Sequence, residues 1–78
     1  MREKTLKLIV TFHTTTAAMA METACAGAGL PGRLIPVPRE ITAGCGMAWK
    51  AEPGDRAALE AFTAEKGITT AGWYELML

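Results

Sequence analysis

The sequence predicts an α+β fold, because short segments with alternating apolar residues are interspersed with segments of helical periodicity. The chain has 78 residues, the size of one small domain, and we treat residues 1–78 as a single unit. The predicted elements follow the order strand, helix, strand, strand, helix, strand. Neither an internal repeat nor a low-complexity linker interrupts them.

The first strand is predicted for residues 5–12, because large apolar side chains occupy alternate positions, the period of a strand with one buried face. We expect this apolar set to face the helices. It consists of Leu6, Leu8, Val10 and Phe12.

The first helix is predicted to begin at a run of threonines and to end near Ala28. A threonine hydroxyl can cap the free amides of a first helical turn. Gly29 offers the left-handed stop that many helices use, and Cys25 falls on the apolar face. The capping run comprises Thr14, Thr15 and Thr16.

The middle of the chain predicts two more strands, over residues 33–37 and 47–51, joined by a loop. Pro36 cannot donate a hydrogen bond to a neighbouring strand, which restricts the second strand to a sheet edge or a bulge. Residues 53–55, Pro-Gly-Asp, then mark the start of a second helix that Gly67 ends. Residues 69–76 predict the fourth strand.

This order of elements is typical of ferredoxin-like domains, the split βαβ arrangement written βαββαβ. Such a domain has a four-stranded antiparallel sheet of order 4-1-3-2 with both helices on one face. The second strand then lies at an edge, in agreement with Pro36. We expect Trp49 and Trp73 on the open face, where a homodimer contact is more typical than a ligand platform.

Charge and hydropathy exclude several classes of function. Eight basic and eight acidic residues balance, and the basic ones are scattered, so we expect no nucleic-acid partner. No apolar run approaches the roughly 20 residues of a membrane span. The N-terminal residues do not resemble a signal peptide, so a cytoplasmic location is expected, where free thiols are favoured over a disulfide.

Cys45 is the principal candidate for chemistry, because glycines flank it at Gly44 and Gly46 and leave its sulfur without bulky neighbours. The predicted topology brings this loop to the end of the first strand, next to His13 and the threonine run. We expect an exposed Cys45 thiolate, stabilised by the amides of residues 14–16 and by the positive charge of Arg39. Cys25 is expected to be a buried filler.

Each of these residues also has a simpler interpretation. His13 at a strand–helix junction is commonly a surface or capping residue rather than a base. The threonines can serve as a cap, as an anion site, or as both. Arg39 and Glu40 can form an exposed ion pair, and Cys45 can be a tolerated surface thiol.

Several segments resemble one family. They are Phe-His-Thr-Thr at residues 12–15, the helix end Ala28-Gly29, the run 33–41 with its Pro-x-Pro-Arg-Glu-Ile segment, and the following Cys45-Gly46. Together they resemble the small family called putative selenium/sulfur carrier protein-like. The resemblance implies a carrier whose cysteine, here Cys45, holds sulfur or selenium as a persulfide or selenosulfide for transfer from a donor protein to an acceptor protein.

The residues themselves leave two classes of function open. An accessible thiol on a turn suits a carrier, and we expect neither a cofactor nor a metal site, since the sequence has no Cys-x-x-Cys pair or glycine-rich phosphate loop. A carrier is favoured over a stand-alone enzyme. The alternative is a non-catalytic module that dimerises through the open sheet face or binds a small anion at the helix terminus.

Overall fold

The computed structural model of this protein describes residues 3–42 and 44–78. Its architecture is α+β, which confirms the fold class expected from the sequence. In chain order the elements are β1 (Leu6–Thr11), α1 (Thr15–Ala28), β2 (Arg33–Pro36), β3 (Met47–Ala51), a short 3₁₀ turn (Pro53–Asp55), α2 (Arg56–Lys66) and β4 (Gly72–Met77).

Within the described residues, the four strands form one sheet in the order β2-β3-β1-β4, and every neighbouring pair is antiparallel. Read from the β4 edge, this is the expected order 4-1-3-2. Since β1 and β2 both run antiparallel to β3, they run in the same direction. The end of β1, the start of α1 and the loop before β3 therefore lie at one pole of the sheet.

The ends of some strands differ from the sequence prediction. β2 stops at Pro36 on the sheet edge, as the missing amide of proline requires. β4 begins at Gly72 rather than at residue 69. Residues 68–71 have no regular secondary structure, and the indole N–H of Trp73 donates to the hydroxyl of Thr70 at 3.1 Å.

The main core lies between the sheet and the two helices, and both helices contribute to it, so they cover the same face. Leu8, Val10 and Phe12 are fully buried there, as predicted, whereas Leu6, the first residue of the strand, is 42% exposed. The fully or nearly fully buried set is Leu8, Val10, Phe12, Ala18, Met21, Cys25, Trp49, Ala51 and Leu59.

Both tryptophans lie on the helix-covered face, so the prediction that they occupy the open face was wrong. The strand register gives the reason, because Trp49 and Trp73 are both direct partners of Val10, one on each side of β1. Directly paired residues project to the same face of a sheet. Trp49 is 3% exposed, and its indole N–H donates to the carbonyl of Pro31 at 3.2 Å.

The other face of the sheet has a small apolar cluster of its own, in which Ile9 and Ala48 are fully buried and Ile41 is 7% exposed. Ile41 comes from the loop between β2 and β3, which packs against this face. The central strand β1 is therefore buried on both faces, and the prediction of one buried face was wrong. The partly buried members around this cluster are Ile35, Val37, Leu76 and Leu78.

Candidate functional site

The turn that carries Cys45 is held against the end of β1 by its own backbone. The amide of Cys45 donates to the carbonyl of Phe12 at 3.0 Å. Gly44 precedes it with φ of 74°, and a Cβ atom there would lie 2.0 Å from that same carbonyl oxygen. Only glycine allows this approach, because both the left-handed backbone and the close contact exclude a side chain.

The residue after Cys45 also has a backbone conformation that favours glycine. Gly46 has φ of 90°, and its carbonyl accepts a hydrogen bond from the amide of Val37 at 2.9 Å. The loop is therefore closed at its base by this bond and attached to β1 by the bond between Cys45 and Phe12. The two glycines were expected to expose the sulfur, but their observed function is to shape and fix the turn.

The side chain of Cys45 is half-buried rather than fully presented to solvent, which corrects the expectation of an exposed thiol. It packs at the margin of the main core, and its Sγ lies 3.9 Å from the carbonyl oxygen of Met47. The physical reason is the backbone bond to Phe12, since it brings the turn close to a buried residue of β1. Cys45 is thus partly accessible and firmly positioned.

The start of α1 lies beside this turn. Thr14 is the N-cap, with an extended backbone and a hydroxyl that accepts from the amide of Ala17 at 3.1 Å, which confirms the predicted capping role. Thr14 follows Phe12 by two residues and is therefore within about 7 Å of it. Thr15 and Thr16 form the first turn of the helix and are exposed.

A cavity of about 460 Å³ opens next to this helix terminus, and His13, Thr14 and Thr16 line it. Its opposite wall comes from the end of α2 and the following turn, with Lys66, Gly67, Ile68 and Thr69. The residues of the first wall were predicted from the sequence, whereas those of the second wall were not. The signal was available, because the strand that follows α2 pairs with β1 and must begin where β1 ends.

Arg39 is exposed, and among the described residues it makes no ion pair, so the exposed pair with Glu40 considered from the sequence does not form. It lies in the same loop as Cys45, four residues after Ile35 of the second apolar cluster and two before Ile41. Ala43, in the same loop, lies outside the described residues.

Cys25 is fully buried on the core-facing side of α1, as predicted. Burial raises the pKa of its thiol, because the interior disfavours the thiolate. Both cysteines are free in this structure. Of the two, only Cys45 combines a free thiol with partial solvent access.

Two further properties define the chemical setting. In the part of the chain that the structure describes, no three His, Cys, Asp or Glu side chains converge as a metal-binding group. None of the described helices combines the length and apolar character needed to cross a bilayer.

Comparison with known proteins identifies the family. The model of a family described as Putative Se/S carrier protein-like matches residues 7–75, which is almost the whole chain. The chain belongs to this family. The match confirms the resemblance noted from the sequence, and it includes the turn around Cys45. No curated protein and no solved structure gives a significant match.

In this Se/S carrier-like protein, the site therefore consists of a fixed turn, a half-buried thiol and a capped helix terminus at one pole of the sheet. The structure brings the backbone of Cys45 to the residue before His13 and leaves Arg39 on the outer side of the same loop. A thiol in such a setting can act as a nucleophile toward another sulfur or selenium atom.

Proposed function

We propose that this protein is a carrier in which Cys45 accepts a sulfur or selenium atom, holds it as a persulfide or selenosulfide, and passes it to an acceptor protein. The observation that carries the proposal is the position of Cys45. Cys45 lies between two glycines with left-handed backbones, and its amide donates a hydrogen bond to the carbonyl of Phe12. A half-buried free thiol is therefore fixed next to the start of α1. Membership in the Se/S carrier-like family supports the same conclusion.

Each transfer is a thiol–persulfide exchange with no net oxidation or reduction. For sulfur, the Cys45 thiolate attacks the terminal sulfur of a persulfide on a donor protein. A new S–S bond forms to Cys45, the S–S bond within the donor breaks, and the donor thiolate leaves with the bonding pair. In the second step a thiolate of the acceptor attacks the terminal sulfur on Cys45, and the Cys45 thiolate is the leaving group.

The surroundings of Cys45 suit both steps. We propose that the partial positive charge at the start of α1 and the positive charge of the exposed Arg39 in the same loop support the sulfur during transfer. His13 and the first-turn residues Thr15 and Thr16 are exposed at the same pole of the sheet, and we propose that they contact the docked partner. Partial burial limits the access of solvent oxidants to the loaded sulfur while leaving it open to a docked thiol.

Cys25 is not suited to this role. It is fully buried in the main core, and desolvation raises its pKa, so the nucleophilic thiolate is disfavoured. The carrier needs no second cysteine, because donor and acceptor supply the other thiols. We assign the scaffold to the ferredoxin-like split βαβ arrangement and propose the cytoplasm, where thiols remain reduced, as the working compartment.

The decisive experiment is loading in vitro. The protein is incubated with a cysteine desulfurase and cysteine, and intact-mass and peptide mass spectrometry locate the added sulfur. We expect a gain of one sulfur atom on Cys45 in the wild-type protein and in Cys25→Ala. The Cys45→Ser variant should gain none.

A known sulfur carrier loaded in the same reaction serves as the positive control, and circular dichroism verifies that each variant is folded. If the known carrier is loaded while Cys45 of this protein stays unmodified, with both cysteine and selenium donors, the carrier proposal is wrong.

A second candidate is a binding module without covalent chemistry, and the cavity beside His13 and Lys66 favours it. Such a module would bind a small anion there, or dimerise through the second face of the sheet. Cys45→Ser separates the two proposals, since it removes sulfur loading but leaves anion binding and the sedimentation coefficient unchanged. On that face Ile9 and Ala48 are buried, while Tyr74, the cross-strand partner of Ile9, is 38% exposed.

A further inference from the structure

The two edges of the sheet differ in how they are protected from pairing with another strand. β2 has four residues and includes Arg33 and Pro36, residue types that keep an edge strand from pairing. β4 is longer, with six residues, and contains neither proline nor a basic residue. Among the described residues, no strand pairs with its outer side. The β4 edge is therefore open to an additional strand.

Exposed apolar side chains are concentrated beside this open edge. Four large hydrophobic side chains in the described part of the chain are exposed, and three of them lie on β4 or on the strand paired with it. Leu6 and Met77 are direct cross-strand partners on one side of the sheet, and Tyr74 lies on the other side. A strand added at this edge would therefore meet apolar groups on both sides of the sheet.

The hydrogen bonds between β1 and β4 determine which backbone groups of β4 point outward. Thr5 and Leu78 exchange two backbone hydrogen bonds, of 3.0 and 2.9 Å, and are therefore a bonded pair. Bonded and non-bonded pairs alternate along an antiparallel ladder. By the register of the two strands, Trp73, Glu75 and Met77 then direct their amides and carbonyls away from β1.

We propose that the outer edge of β4 binds the same edge of a second copy of this chain, so that two sheets join into one of eight strands. A two-fold axis makes the two β4 strands antiparallel, and the surface is then self-complementary. In this register Trp73 forms a bonded pair with the partner's Glu75, and Tyr74 lies opposite the partner's Tyr74. An aromatic pair of this kind stabilises neighbouring strands.

Charge favours this register over one shifted by two residues. The shifted register would place Glu75 opposite the partner's Glu75, and like charges directly opposite each other destabilise a strand pair. In the proposed register Glu75 lies opposite a tryptophan, Trp73, whose ring centre is 5.8 Å from the guanidinium carbon of Arg56. Nε of Arg56 donates to Glu60 at 3.0 Å, which leaves its terminal N–H groups for the carboxylate of the second copy.

This pairing leaves the Cys45 pole of each copy accessible. β4 begins at that pole, where Gly72 pairs with Thr11 at the end of β1. Because the two β4 strands run in opposite directions, the Cys45 poles of the two copies lie at opposite ends of the joined sheet. The proposal depends on the sheet edge and not on the carrier proposal.

The test is analytical ultracentrifugation of the full chain between about 10 µM and 1 mM, a range suited to a small interface. We expect a reversible equilibrium between monomer and dimer. Tyr74→Lys places like charges opposite each other and should raise the dissociation constant at least about tenfold. Met19→Lys is the matched control, because Met19 is an exposed methionine on α1, and it should leave the constant within twofold.

Glu75→Pro tests the backbone contact directly. It removes an amide that points outward and leaves the hydrogen bonds between β1 and β4 in place, so it should also raise the dissociation constant at least about tenfold. Amide hydrogen exchange tests the register. The amides of Trp73 and Glu75 should gain protection as the protein concentration rises, whereas that of Met77 should not.

Four results would overturn the proposal. They are a monomer throughout the concentration range, an equal loss of affinity in Met19→Lys, protection of Met77 on dimerisation, and a dimer that Glu75→Pro leaves intact. The last result is the one that contact through the second face of the sheet would give.

Discussion

Cys25 and Cys45 are two free thiols in one small domain, and the elements that carry them give them opposite properties. Cys25 lies in the middle of a helix on its core-facing side, where burial raises its pKa. Cys45 lies in a turn whose backbone conformation only glycines permit. The burial of a thiol is thus decided by its secondary structure and its neighbours, since the residue type is the same.

The largest expected difference between the two cysteines is their rate of alkylation in the native protein. Cys25 can react only when the core opens, so its reaction should be on the order of a thousandfold slower than that of Cys45. Timed iodoacetamide labelling, followed by peptide mass spectrometry, measures both rates in one sample. Similar rates at the two sites would break the comparison.

A substitution at Gly44 tests how strongly the turn that carries Cys45 depends on its glycine. In Gly44→Ala the new Cβ would meet the Phe12 carbonyl at 2.0 Å in a left-handed backbone, so we expect a loss of about 3 kcal/mol in the free energy of unfolding. Urea denaturation measures it. Gly46→Ala is the control: its backbone is also left-handed, but no atom lies within 4 Å, and about 1 kcal/mol should be lost.

Equal losses in the two glycine variants would show that the contact with Phe12 does not hold the turn. In that case Cys45 would owe its position to other contacts of the loop.

A substitution at the cap of α1 tests whether a loss of global stability changes the alkylation rate of Cys25 while leaving that of Cys45 nearly unchanged. Thr14→Ala removes the hydroxyl that accepts from Ala17 and should lower the free energy of unfolding by about 1 kcal/mol. Because Cys25 reacts through opening, its alkylation should become about fivefold faster. The rate at Cys45 should change much less. Thr15→Ala, one residue later and exposed, is the matched control.

The smallest expected effect is a dependence of stability on alkaline pH that originates at Cys25. Burial raises its pKa above the ordinary value of 9.0 in the folded state only. The unfolded chain therefore loses this proton first, and the free energy of unfolding falls as pH rises above 9.0 toward the folded-state pKa. Cys25→Ala should show a flatter profile over this range, and identical profiles would contradict the burial effect.

The sequence predicted most of the fold because its strongest signals are local. The threonine cap, Gly29, Pro36 and Gly67 are each determined by the backbone needs of one element, and each is found as predicted. Alternation in β1 predicted the strand itself but not the burial of both of its faces. The positions of the tryptophans were not predictable in this way. Their face is set by the register between strands, which joins residues far apart in the chain.

The candidate site was predicted in part for the same reason. Topology placed the turn of Cys45 beside the end of β1, and the bond between Cys45 and Phe12 agrees with it. The half-buried state of the thiol and the cavity wall at Lys66 depend on how the loop and α2 pack. Packing between distant segments leaves no periodic pattern in the sequence.

The attachment of Ile41 beneath the sheet has a consequence for encounters with other molecules. This loop is fixed by a buried side chain at residue 41 and by backbone bonds at Val37 and Cys45. Its conformational entropy is therefore lost during folding, before any partner arrives. Association of another molecule with this loop then carries a smaller ordering cost than association with a free flap, so more of the contact free energy remains available for binding.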